Sequence, residues 1–243
     1  MFRLTILNLC IFLMINLPVK SQDIPGDSAF LLKAKSNTIE QFYKSVRETA
    51  PVFQGREFVS YGQKIKGSPF FLFDKPVKGS LVYNGIEYAE ISFAYDMVGD
   101  KVIISDYNGQ SQLVAPPEKI NHFVLGTHEF FRPETDIRFM GLIDTGFYEI
   151  LYPGKTMVVA KKWKQVQYFQ GEEQAYSFIA SAIYYVYDQE IFRDVSSQKE
   201  LLSIFKGQEK EIKKMLRQQK LSFKRNKEQS LIKAANYYDQ LTK

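Results

Sequence analysis

The chain has 243 residues, of which 45% are hydrophobic, 15% aromatic and 24% charged, with nine prolines and one cysteine. That balance excludes a disordered or collagen-like chain, a disulfide scaffold, a zinc-cluster protein and a multi-pass membrane protein, and the length is enough to bury a core without covalent staples. The formal net charge of +5 is uneven: residues 197–243 hold 12 Lys and Arg against 5 Asp and Glu, whereas 22–196 hold 18 against 22.

Residues 1–21 have the pattern of an export signal. Met1-Phe2-Arg3 supplies a positive start, Leu4 to Leu17 is an almost unbroken apolar run, and Pro18-Val19-Lys20-Ser21 is a breaker with a peptidase-type site. Val19 falls at −3 and Ser21 at −1, which leaves Gln22 as the mature N-terminus. The apolar run is shorter than the roughly 20 residues a spanning helix needs. Cys10 lies inside it, so the mature chain has no cysteine and can use neither disulfides, thiol catalysis nor cysteine metal sites. The mature chain also lacks an Asn-x-Ser/Thr acceptor. Together these point to an exported bacterial protein that is periplasmic, outer-membrane associated or secreted.

Residues 22–55 comprise a lead-in and a helix. Asn37 or Ser36 can cap the helix, and Ile39, Phe42, Tyr43 and Val46 recur at helical spacing up to about Ala50, before Pro51 and Gly55. Residues 56–195 then switch to short β-rich runs. Ser80–Tyr83, Asn84-Gly85 and Ile86–Tyr95 form the clearest hairpin, because a type I′ turn needs positive φ at both central positions. Further runs are Val102–Ser105, Gln112–Ala115, His122–Leu125, Phe147–Tyr152, Thr156–Lys161, Tyr176–Ala180 and Ile183–Tyr187. Strands at this spacing predict a mainly β fold, an antiparallel meander closing as a sandwich or barrel, with an N-terminal helix and a C-terminal helical segment. Residues 196–243 form that basic segment, packed on the β domain. Ser197-x-x-Glu200 is a capping box opening Leu201, Leu202, Ile204 and Phe205, and Gly207 closes the turn. Ile212, Met215 and Leu216 mark a second helix, and Leu231, Ile232, Ala235 and Tyr238 a third.

The sequence offers no catalytic constellation. His122 and His128, beside Glu129, have no metal-specific spacing. Gly67-Ser68-Pro69 and Gly79-Ser80 are not nucleophile elbows, and no phosphate-binding glycine pattern occurs. Asp96, Asp100 and Asp106 lie near strand ends, and Asp106-Tyr107-Asn108-Gly109 resembles the start of a calcium loop, but its twelfth position is Pro117. No catalytic, metal or cofactor residue is assigned. Two features favour binding. Lys161-Lys162-Trp163-Lys164 sets the one tryptophan among cations, either as a sugar, headgroup or anion contact or as an anchor on an edge strand. An apolar groove lined by Tyr83, Tyr95 and Trp163, with Lys161 and Lys162 alongside, would hold a ligand. The basic tail could meet an anionic envelope surface or an envelope protein, or dock on the more acidic body. No nucleic-acid module is present, and the strands are too short and irregular for a transmembrane barrel.

The Tyr83-Asn84-Gly85 hairpin, Tyr95-Asp96 and Gly146-Phe147-Tyr148-Glu149 occur in a recognisable order with the ending Ser197-Gln198-Lys199-Glu200-Leu201-Leu202, Leu221-Ser222-Phe223-Lys224 and Tyr237-Tyr238. Together they resemble a family of uncharacterised exported bacterial envelope proteins. The resemblance implies export and a β-rich body with a helical tail, and brings no activity or site residues. The expected function is that of an exported, envelope-associated binding or assembly protein without enzymatic activity. The alternatives are a hydrolase acting on envelope material and a peripheral membrane protein held by its tail.

Overall fold

The computed structural model describes residues 49–62, 64–171 and 176–242, all within the unit Glu48–Lys243. The expected export signal with its Ser21/Gln22 cleavage point, Cys10 and nearly all of the first helix fall outside these residues.

The strands are β1 (Arg56–Glu57), β2 (Ile65–Lys66), β3 (Val77–Tyr83), β4 (Ile86–Asp96), β5 (Lys101–Ser105), β6 (Gln112–Val114), β7 (Ile120–Leu125), β8 (His128–Phe131), β9 (Tyr148–Tyr152), β10 (Met157–Tyr168), β11 (Tyr176–Asp188) and β12 (Ile191–Asp194). Three helices follow: α1 (Gln198–Ile204), α2 (Glu209–Gln218) and α3 (Lys227–Leu241). The mainly β fold expected from the sequence is what forms. The strands lie in one sheet, ordered β1-β6-β5-β4-β3-β7-β8-β9-β10-β11-β12. The pairings are antiparallel except that β2 joins β11 in parallel, at Tyr176 and Ser177. The β3–β4 hairpin turns on Asn84 and Gly85, with φ of +52° and +74°, as its Asn-Gly pair requires.

β10 and β11 are longer than the sequence runs suggested. They pair without interruption from Met157↔Tyr187 to Tyr168↔Tyr176, so Trp163, Lys164, Gln165 and Gln167 extend a strand that hydrophobicity alone would end at Lys161. The sheet bends far enough for the Lys164 N–H to donate to the Met97 carbonyl at the end of β4, at 3.0 Å. The chain between β1 and β2 then runs from one end of the strand order to the other.

Side-chain alternation along the strands builds several apolar regions among the described residues. On one face Phe93 and Tyr95 of β4 meet Phe123 of β7 and Phe130 of β8; Phe123 and Phe130 stack with ring centres 4.7 Å apart, and Tyr95 lies 5.4 Å from Phe123. Another region is formed where the helices cover β9–β11. Val158 and Val186, paired across β10 and β11, are buried with Leu201 and Phe205, Ile212 and Leu216, and Leu231 and Ala235. Each buried Val, Leu, Ile or Phe side chain here contributes about 1.5–3 kcal/mol, and the Ala235 methyl less. The α3 carboxylate Asp239 adds a polar tie, accepting from the Thr156 N–H and the Tyr152 hydroxyl, each at 3.1 Å. The capping box forms as expected: Ser197 Oγ accepts from the Glu200 N–H at 3.2 Å, and Glu200 accepts from the Ser197 N–H at 3.1 Å.

Candidate functional site

Where the chain from β1 to β2 joins the two ends of the strand order, it leaves an open cleft of about 620 Å³. Phe58, Tyr61 and Phe70 come from that chain and the loop after β2, and Phe178 comes from β11. The rings contact one another edge-on or tilted: Phe58 lies 6.3 Å from Tyr61 and 5.9 Å from Phe70, and Tyr61 lies 5.8 Å from Phe178. Ser68, Gln112 and Asp74 add a hydroxyl, an amide and a carboxylate to the walls.

Buried polar bonds hold this loop in place. The Tyr61 hydroxyl donates to Asp96 at 2.7 Å, and Asp96, fully buried at the end of β4, also accepts from the N–H groups of Val98 and Gly99. Burial, then the bond to Asp96 and its negative charge, push the Tyr61 phenol well above the ordinary tyrosine range. From β10, Lys164 Nζ donates to the carbonyls of Ser68 and Phe70 at 2.8 and 2.6 Å, and burial holds its ammonium below the usual lysine range. A flat, mostly apolar group can lie against these rings while the walls supply a few directional polar contacts.

The residues singled out in the sequence lie elsewhere. Tyr83 and Tyr95 are core residues, each 1% exposed, so the expected groove of Tyr83, Tyr95 and Trp163 does not form. Alternation on β3 and β4 turns both rings inward: Tyr83 packs on Tyr88, and Tyr95 packs on Phe123 while its hydroxyl donates to Asp100 at 2.7 Å. Trp163 is half-buried on β10 opposite Ser181, on the strand face opposite to that of Lys162 and Lys164. Lys161 donates to the Thr145 carbonyl and lies 3.9 Å from Asp100. The cationic stretch is therefore split between two faces, and Lys161, Lys162 and Lys164 are each engaged within the fold.

Lys162 belongs to a partly buried charge network. Its ammonium lies 2.6 Å from Glu149 of β9, itself only 2% exposed, and 3.0 Å from Glu228 of α3, which accepts from the Tyr184 hydroxyl. His128 meets the same Glu149. Burial alone would lower the Lys162 ammonium, but its contacts with Glu149 and Glu228 outweigh that and hold it above its usual range. His122 takes a different carboxylate, Glu129, at 2.9 Å on the surface of β7 and β8, so the two histidines do not share a site. Asp106 is used within its own turn, accepting from the Gln110 N–H at 2.8 Å. Among the described residues no group of three His, Cys, Asp or Glu side chains is placed to hold a metal ion, and no helix is long and apolar enough to cross a membrane.

The cleft residues Phe58, Tyr61, Phe70 and Phe178 drew no attention in the sequence. The signal that could have found them is the density of rings around Gly62 and Gly67, where Phe58, Tyr61, Phe70 and Phe71 fall in a stretch with no apolar periodicity of its own. Comparison of the chain with protein-family models, with curated proteins and with solved structures finds no match.

Proposed function

We propose that the protein is an exported, envelope-associated binding or assembly protein without enzymatic activity, and that it holds its ligand in the aromatic cleft. The observation that carries this reading is the convergence of Phe58, Tyr61, Phe70 and Phe178 around one open concavity whose polar groups are few and neutral apart from Asp74. Rings lining a concave site with a small number of orienting polar groups are the usual composition of a ligand pocket. The export signal supports the location.

The test uses the mature chain, 22–243, as bait in envelope extract at low and moderate salt, beside a bait carrying Phe58→Ala and Phe178→Ala. The expected result is a defined component kept at moderate salt by the native bait and lost from the cleft variant. Retention of nothing by either bait overturns the reading.

A second reading is favoured by the outer face of α2, where Lys210, Lys213, Lys214 and Arg217 are exposed while Ile212, Met215 and Leu216 are buried. It is that of a peripheral protein on an anionic envelope surface. This predicts retention of acidic lipid or polymer by both baits alike, washed off as salt screens the charges.

A further inference from the structure

β11 is paired with β10 from Tyr176 to Tyr187, but on its other side its partners are interrupted. β2 covers Tyr176 and Ser177, β12 covers Tyr185 to Asp188, and the Val195 N–H reaches the Tyr184 carbonyl at 2.8 Å. Among the described residues no strand covers Ile179–Ile183 on that side. The Tyr184 carbonyl points outward, towards β12, and backbone direction alternates along a strand. The N–H and C=O groups of Ala182 and Ala180 therefore also face outward. Sheet edges are normally blunted by lysine, proline or a bulge. Ile179-Ala180-Ser181-Ala182-Ile183 has none of these: it is uncharged and proline-free, Ala180 is exposed, and Ile183 is 41% exposed. The opening is about 17 Å long, five residues at strand rise.

We infer that this opening receives an extended segment of a partner polypeptide, added as a short strand between β2 and β12. A row of outward N–H and C=O groups matches extended backbone, and main-chain bonds give such additions their affinity. The inference rests on the binding reading and names the ligand class for the cleft, because Phe178 borders the opening and also lines the cleft. A bulky side chain of the added strand beside Phe178 would enter among Phe58, Tyr61 and Phe70, while Ala180 and Ala182 leave room for its neighbours. A second copy of this chain is the competing occupant, because Ile179–Ile183 has the same order in both directions and would pair antiparallel about Ser181. A whole β11 strand continuing past five residues would run into β2 at Tyr176 and Ser177, whereas a short segment leaving the sheet at each end would not.

The test selects phage-displayed random nonapeptides on the mature chain, then measures the enriched peptides by titration against native protein, Ala182→Pro, Ala180→Lys and Phe178→Ala. Proline at 182 removes an outward N–H and leaves the bonds to β10 intact; lysine at exposed position 180 charges the edge and is the variant that folds if proline does not. The expected result is peptides with alternating apolar residues, weakened about tenfold or more by either edge substitution and by N-methylation at every second peptide residue, the scale of losing one or more backbone hydrogen bonds. N-methylation at the intervening residues leaves binding within about threefold, as those groups face away from the sheet. Peptides that bind both edge variants as they bind native protein overturn the inference; if they still fail on Phe178→Ala, the cleft reading stands alone. Failure to enrich any peptide, while the envelope component is still lost from the cleft variant, overturns the strand and spares the cleft. A concentration-dependent dimer abolished by Ala182→Pro overturns it in favour of the second copy.

Discussion

Gly146, just before β9, has φ of +117°, and a Cβ there would run into the Asp100 carboxylate and the Lys161 ammonium. Its N–H donates to Glu134 while that of Phe147 donates to Asp100, so the backbone cannot turn aside without losing both bonds. Gly146→Ala is expected to cost about 2–4 kcal/mol, combining backbone strain with a displaced ion pair, and a lowered urea midpoint would show it. Lys162 gives a sharper test, because its neighbour Glu149 is almost wholly buried. Lys162→Met alone is expected to lose about 3 kcal/mol, since it leaves the buried carboxylate with only its His128 contact and no ammonium. Adding Glu149→Gln should return part of that loss, and a double-mutant cycle by urea denaturation measures the coupling. Additive costs would show that the two groups act independently.

Among the elements, α1 is defined by its cap. Ser197→Ala should cost about 1 kcal/mol in thermal or urea unfolding. Glu200 is held below its ordinary carboxyl range by Ser196, whose hydroxyl and N–H both donate to it, with Ser197 adding to the effect. Its contribution is therefore present above the unfolded value of 4.5 and disappears as pH falls through the lower folded value. Amide shifts of Ser196 and Ser197 moving together below that pH would report it. On α3, Leu231 is fully buried against the other helices and β10, and Leu231→Ala should cost about 3 kcal/mol in the same assay. The cap and the Asn84-Gly85 turn were legible in the sequence because each is a local pattern whose backbone demand is met within four residues. The helix stripes at Ile212, Met215 and Leu216 were legible for the same reason. The cleft was not, because its rings come from positions 58 to 178 and only tertiary pairing brings them together. Tyr83 and Tyr95 misled because strand alternation says that a ring has a face but not whether that face is covered.

For the molecule as a whole, burial raises the phenols of Tyr61, Tyr88, Tyr95, Tyr148, Tyr152, Tyr184, Tyr185 and Tyr238. Unfolded tyrosines ionise near 10.0, so above that pH the folded chain holds more protons than the unfolded one, and stability falls as pH rises. Lys162 adds to this trend above 10.5, whereas Lys164, held low by burial, opposes it. The expected outcome is cooperative alkaline unfolding, with the absorbance of these eight phenolates appearing at the unfolding transition; their smooth titration near pH 10 in folded protein would contradict it.

The closure made by the chain from β1 through the loop after β2 also orders events in time. Its bonds join residues far apart in sequence, 35 positions for Tyr61 with Asp96 and 96 for Lys164 with Ser68, whereas the β3–β4 hairpin is local. Contacts that close long loops form late, after the segments they join are in place. The protein should accordingly collapse around its hairpins first and complete the cleft as a slow final step. In the native state the same residues should be the first to open, with amide protons around Phe70 and Lys164 exchanging through small fluctuations while those of β3 and β4 wait for global unfolding.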